Sequence, residues 1–540
     1  MKKCIKSSVL AGSALFATLT LVGCGNGAGT NEPVEIGTSE NFNKQGYPIV
    51  NEQITLTFAA PKASLAPNFG EMSIIQQLEE QSNIEIKWNN IPDADYSTKK
   101  NLMLASEDLP DAFWNSGFSD YDLIKYGAEG LIIPLNDLIE EYMPNLWAEM
   151  EKDPTIKSKL TAPDGNIYSL PTIEEMGLSR SPFFTSINTQ WLENLGLEMP
   201  TTPEEFKEVL IAFRDQDANG NGNPNDEIPF SFMHMGWCMD IGDLMAAFGM
   251  PDNVQHRIVR DGEVIFTAVQ DEYKEALQYF HELYKEGLID PESFTQDTSQ
   301  YLAKGQNPND ILGSFIWWET AEVVGPERAE NFTVMAPWKN KEGIQVTGHA
   351  NGEDFGRAAF VVTKANENVA ETLRFIDMCY EKYTSPQLNW GSEGDVFTRD
   401  ENGVLVMNEA PEGTTMGEYR QKVAPGVGSP FIIRSEDFGT YVEMESRAQE
   451  RLETIETLFD PYMEEEFYPN IFFSEEDLDT INFIEADIMS YVNTKRAQWI
   501  TEGGIEAEWE SYKKELEKMG LNDLMEIYQR GLDNYRVNEQ

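Results

Sequence analysis

Six residues between Asp217 and Glu227 have the types and spacing of a divalent-cation loop. The stretch RDQDANGNGNPNDEIPF, from Arg214 to Phe230, alternates carboxylates and amides with glycines. A hard cation such as calcium takes six to eight oxygen ligands from side chains of this kind. Counting from Asp217 puts Asn219 third, Asn221 fifth, Gly222 sixth and the Asn223 carbonyl seventh, with Asp226 and Glu227 closing the loop. Counting from Asp215 ends at Asp226 with no Glu in the closing place, so the Asp217 register is preferred, with Asp215 as an additional or outlying carboxylate. A phosphate loop is rejected, because the third glycine and the Lys are missing and a helix precedes. A solvated Asn/Gly turn is the plain alternative, and carboxylates at both ends weigh against it. The exit, DEIPF followed by FSFM, reads as extended chain, whereas an EF-hand needs helices on both sides. Without an exit helix there is no lever to move. The expectation is therefore a structural Ca2+ held by Asp217, Asn219, Asn221, Asn223, Asp226 and Glu227.

No catalytic constellation emerges. The four histidines are His234, His256, His281 and His349. HELYK at His281 is half of a zinc motif, with Lys285 where the second His belongs. There is no GxSxG elbow and no CxxC pair. With 93 acidic residues, any glycosidase-type carboxylate pair can be drawn, so none is informative. The aromatics say more. Trp114, Trp237, Trp317, Trp318, Trp338 and Trp390 fall at expected strand ends or in Gly-rich loops. Flat indole faces stack on sugar rings while nearby polar groups bind the hydroxyls. Each indole is equally suited to filling a core. Glu319, after IWW, and Arg434, in GSPFIIRSEDFG, are the polar partners singled out.

The elements that must position these residues alternate. ITLTFAAP reads as a strand, SIIQQLEEQSN as a helix, IEIKWNNI as a strand, and STKKNLMLASEDLPDAFW as a helix, turn and short buried strand. That is an α/β pattern. In MPTTPEEFKEVLIAF, Thr202 suits an N-cap, Pro203 the first helical position, and Glu205 completes a capping box. Phe206, Val209, Leu210 and Phe213 then form one apolar face, and the helix runs straight into the cation loop. ILGSFIWW, FTVMAPW and GRAAFVVTK read as strands, and the last hundred or so residues as mainly helical. About 500 residues after a leader are too many for one core. Two α/β lobes are expected, crossed more than once: 50–172 plus 335–405, and 173–334 plus 406–540, the second holding the loop.

The N-terminus is an address. Lys2, Lys3 and Lys6 precede an apolar run from Val9 to Val22 that is too short for a comfortable membrane span. The run ends in LVGC, which resembles a bacterial lipobox. Residues 1–23 are expected to be a lipoprotein signal peptide, Cys24 the site of palmitate-type lipidation, and 24–49 a flexible tether. The body then sits at the extracellular face of the cell membrane. Cys238 and Cys379 lie in apolar surroundings and read as buried free thiols. With 40 basic against 93 acidic residues the net charge is −53. This argues against nucleic acid as a partner and favours neutral ligands over polyanionic ones.

Together, LVGC, LASEDLPDAFW, APDGNIYSLP, NTQWLENLGLEMPTTPEEF, DANGNGNPNDEIP, YKEGLIDPESF and NWGSEGDVFT resemble the bacterial extracellular solute-binding proteins of carbohydrate ABC importers (family 1), in particular the long lipoprotein members. The resemblance implies a two-lobed periplasmic-binding-protein-like α/β fold of class II type with a mainly helical C-terminal region. It also implies a monomer that closes on an oligosaccharide and delivers it to ABC permease subunits. Alginate-binding members are similar and carry a calcium loop of this type away from the sugar. Pro224-Asn225 lengthens the loop here, so Asn225 competes with Asp226 or Glu227 as a ligand. The family does not fix sugar contacts, which rest on the tryptophans above. The expected function is a lipid-anchored oligosaccharide receptor. Its rivals are a receptor for peptides or other small solutes and a surface-anchored glycoside hydrolase.

Overall fold

The computed structural model describes residues 40–538 apart from 178, 179, 182, 237, 352, 353, 413 and 415. Its larger sheet has six strands. Ile54–Lys62 pairs in parallel with Ile84–Pro92, from Ile54 opposite Ile84 to Lys62 opposite Pro92, and on its other side with Ala112–Trp114. Phe58, Ala59 and Ala60 are all fully buried, the signature of a strand covered on both faces. Phe355–Val362 runs antiparallel between Ala112–Trp114 and Leu170–Glu174. The two-residue strand Ile432–Ile433 lies parallel to Leu170–Glu174 at the far edge. The smaller sheet centres on Phe184–Asn188, flanked antiparallel by Ser314–Trp317 and Phe332–Val334.

The strand assignments locate the crossovers. The chain leaves the large sheet after Glu174, returns at Phe355 and leaves again after Ile433. Two segments bear on the expected lobe boundaries. Met335 and Trp338, expected in the first lobe, lie with the small sheet, since the Met335 amide bonds Thr185 O at 2.9 Å and Trp338 is buried in the core beside that sheet. Residues 406–433, expected in the second lobe, contain the edge strand of the large sheet. A two-residue strand carries no periodicity to read. Residues 41–49, expected to end the tether, are packed as well. Phe42 bridges Val50 and packs on Tyr142, and Ile49 is fully buried.

The core of the small-sheet lobe is built around the helix Pro203–Asp215. Thr202 Oγ1 accepts from the Glu205 amide at 3.2 Å, as an N-cap should. The Glu205 carboxylate reaches past the cap to the Thr201 amide and hydroxyl, so the box is displaced by one residue. Phe206, Leu210 and Phe213 are fully buried against Trp191, Phe230 and Trp338. Phe206→Ala should cost about 3–5 kcal/mol, read as a lower urea midpoint at unchanged slope. The helices Glu475–Glu502, Ile505–Lys518 and Leu521–Asn538 complete this core through Trp499, Trp509, Tyr512 and Tyr528. Gly503, with φ +78°, breaks the first from the second, and a Cβ there would sit 2.8 Å from the His281 ring. Among the described residues no helix is long and apolar enough to cross a membrane.

Candidate functional site: a cavity at the strand ends

A cavity of about 790 Å3 is walled by residues that follow strands of both sheets. Pro61 and Lys62 end the first strand, Asn115 follows Ala112–Trp114, and Glu174 ends Leu170–Glu174. Trp318 and Glu319 directly follow Ser314–Trp317. Carboxyl ends of strands are where open α/β sheets place ligands. The helix Met416–Val423 adds Arg420, and the helix Ser446–Thr454 adds Arg447 and Arg451.

Two indole–guanidinium pairs dominate the walls. Arg451 lies 5.0 Å from the centroid of Trp318, and Arg420 lies 5.9 Å from that of Trp390. Arg420 Nε donates to Asn389 O at 2.6 Å and a second guanidinium nitrogen donates to Asn389 Oδ1. The Asn389 amide donates in turn to Glu174 Oε1 at 2.6 Å. This relay fixes the Arg420 head without saturating it. Glu319 accepts from Arg447 Nη1 at 2.6 Å and from Arg451 Nη1 at 3.4 Å. Flat apolar faces bordered by fixed donors and acceptors suit a hydroxylated ring. Acids and bases both line the cavity, so no single sign of charge prevails. Among the described wall residues there is no His, Cys or Ser.

Burial pushes the Glu319 carboxyl up to about 7, with Arg447 and Arg451 opposing and Glu322 and Glu445 reinforcing the rise. A carboxyl that holds its proton more tightly folded than unfolded adds stability at low pH. That contribution is full below about 4.5 and is lost as pH rises through about 7. Glu319→Gln should therefore gain on the wild type across this window, by an amount on the order of 3 kcal/mol. Denaturant titrations at pH 4.5, 6 and 8 measure the difference.

Of the residues expected from sequence, Trp318, Trp390 and Glu319 meet in this cavity. Trp114 is fully buried between Trp88 and Phe360 and donates to Ser429 Oγ at 3.0 Å. Trp317 stacks on Tyr301 and donates to Glu322. Trp338 packs on Phe206. These three are core fillers, since an indole at a strand end serves a sheet's interior as well as its rim. Arg434 is absorbed by Glu175 at 2.7 Å and Asp153 at 3.1 Å, away from the cavity walls. Trp237 and Cys24 lie outside the described residues. Cys238 and Cys379 are buried and free. Arg420, Arg447 and Arg451 were not expected. Their only sequence signal is basic residues on short helices of a very acidic chain.

The cation loop closes on itself through Asx turns. Asn219 Oδ1 accepts from the Asn221 amide, Asn221 Oδ1 from the Asn223 amide, and Asp217 Oδ2 from the Gly222 amide at 2.9 Å. Gly220 and Gly222 have φ of +72° and +88°, which the reversal requires. Asp215 is instead paired with Arg214 at 2.7 Å. The exit is extended, with Ile228 bridging Leu312 and Phe230 bridging Ile289. Among the described residues no three His, Cys, Asp or Glu side chains form a metal cluster by themselves. The loop's donors are mixed carboxylate and amide oxygens. Two of them, Asp217 Oδ1 and Glu227 Oε2, are buried without a hydrogen-bond partner among the described residues. Burial, then Asp226 and Asp217, holds the Glu227 carboxyl above its ordinary range. Orphaned, mutually repelling carboxylate oxygens fit a divalent cation.

The family model for bacterial extracellular solute-binding proteins matches residues 66–382. A relative from Streptococcus pneumoniae, the fructooligosaccharide ABC transporter substrate-binding protein FusA, is 39% identical over 99% of this chain and 98% of its own. The chain belongs to the bacterial extracellular solute-binding proteins. The structure of FusA in complex with kestose matches this solute-binding protein with a TM-score of 0.84 at 40% identity, covering 90% of this chain and all of that one. A FusA EF-hand mutant in complex with fructo-nystose matches equally well, with TM-score 0.84, 40% identity and the same coverage. The two-lobed α/β fold with a helical C-terminal region is thus that of the family.

Proposed function

We propose that this protein captures a neutral fructooligosaccharide in the cavity between its two sheets and hands it to the permease of an ABC importer. The carrying observation is the meeting of Trp318 and Trp390 with Glu319, Arg420 and Arg451 in one cavity. The relative FusA, similar over nearly the whole chain, supports the fructan class. Swinging of the lobes about the crossover segments would close the cavity, a population shift driven by contacts that the sugar makes only in the closed state. The cation loop belongs to this reading as a calcium staple held by Asp217, Asn219, Asn221, Asn223 and the Asp226–Glu227 pair. It anchors the end of the helix Pro203–Asp215. Lipidation at Cys24 would hold the protein beside its permease. Isothermal titration with kestose tests the reading. Saturable one-to-one binding without cleavage is expected, and either no heat or sugar hydrolysis would overturn it.

A further inference from the structure

A second, smaller chamber of about 130 Å3 lies in the small-sheet lobe. Its polar walls are Asp240, Asn253, His256, Asn493 and Arg496, and its apolar walls include Phe183 and Val254. At its rim Met235 is 62% and Val254 43% exposed, so an apolar lip leads into a polar interior. The volume suits about four waters, each claiming about 30 Å3 of liquid, or one small ring.

The hydrogen-bonding state of the chamber specifies its guest. Arg496 is paired with Asp240, whose carboxylate also accepts the Met235 and Ile241 amides at 2.8 Å. The guanidinium charge is therefore answered within the wall and does not call for an anion. Arg496 Nε nevertheless has no hydrogen-bond partner among the described residues, although Arg496 is only 4% exposed. His256 is fully buried, and its Nδ1 lies 2.8 and 2.9 Å from the two Asp252 oxygens, so Nδ1 carries the donated hydrogen. The neutral ring then offers Nε2, also without a partner, as an acceptor. A donor and an acceptor, both desolvated and both unspent, match hydroxyl groups. Burial, then Arg496, holds the neighbouring His234 down to about 4, so it faces Arg496 as a neutral ring.

The surroundings of the chamber and the main cavity come near one another at Asn351 and Asp354. Asn351 Nδ2 donates to Arg257 O at 2.6 Å, the carbonyl that Asn253 Nδ2 also reaches, at 2.8 Å. Gly348 packs so closely on Pro251 that a Cβ would sit 2.9 Å from that ring. Three residues beyond Asn351, Asp354 lines the main cavity. Chain geometry limits that span to about 11 Å.

We propose that this chamber is a subsite for one neutral hydroxylated ring, either the far unit of an oligosaccharide longer than the main cavity holds or a free monosaccharide. The proposal rests on the carbohydrate reading of the main cavity. Gly242 provides the test, because it lines the chamber and a Cβ added there meets only Asp252, at 3.8 Å. Gly242→Leu should fill the chamber, and melting curves check that the variant folds. Asn493→Ala, at a half-buried wall position, is the independent second variant. Each is titrated with kestose, with longer fructans and with free fructose.

If the far-unit source holds, longer fructans weaken by about tenfold while kestose is unchanged. If the free-ring source holds, a weak fructose isotherm seen in the wild type disappears. Wild-type affinity for every sugar in both variants would overturn the proposal. So would an equal loss for kestose and the longer chains, which marks a general distortion. Failure of the wild type to bind kestose would overturn the carbohydrate reading itself, a result distinct from either.

Discussion

Trp318→Ala should weaken kestose binding by about 2–3 kcal/mol, roughly 30- to 150-fold in Kd, the loss expected for a central aromatic anchor. Trp318 is half-buried at the cavity wall with Arg451 against its face, so truncation removes a stacking platform and frees a cation at once. Trp318→Phe should recover part of the loss, because a smaller ring keeps the flat face. Trp390 is a poorer probe. It is only 5% exposed, and its removal would also open a cavity in the fold. Isothermal titration of Trp318→Ala, alongside a melting curve close to wild type, isolates the binding effect. An unchanged Kd would remove Trp318 from the sugar site.

The proposed calcium staple carries the second large expected effect. At a hundredfold excess over its Kd, a cation bound only by the folded state adds about 2.7 kcal/mol. Chelation of the wild type should lower its melting temperature, and Asp217→Ala should melt at that lower temperature with or without calcium. The raised Glu227 carboxyl must be ionised to serve as a ligand, so the calcium-dependent rise should shrink as pH falls. Kestose affinity should stay constant throughout, because the loop contributes no residue to the cavity. If affinity followed calcium step for step, the staple would be a switch.

What could be read in advance depended on how local the chemistry is. The turns from Asp217 to Asn223 were legible because Asx turns and glycine reversals are settled within a dozen residues. The helix Pro203–Asp215 was legible from its cap and its apolar stripe. The six indoles were not sortable, since Trp114 and Trp318 both follow apolar runs and differ only in what the rest of the chain brings to them. Arg420 reaches the site through Asn389, and Arg451 through Glu319 over a separation of 132 residues, and no local pattern records such pairings. The edge strand Ile432–Ile433 is defined only by its partner Leu170–Glu174.

That edge strand sets a condition on how the protein is made. A chain that emerges amino end first, from a ribosome or a membrane channel, cannot complete its large sheet until Ile433 is out, some four-fifths of the way along 540 residues. Until then the edge of Leu170–Glu174 that Ile432–Ile433 will cover lacks its partner, and exposed strand edges invite pairing with other chains. The lobe with the earliest sequence thus stays incomplete for most of synthesis, and the other, whose core needs the helices after Glu475, is completed later still. Assembly must wait on long-range closure, which makes it slow relative to chains with local contacts. For this protein, the cost of a cavity framed by repeatedly crossing segments falls on its time to maturity.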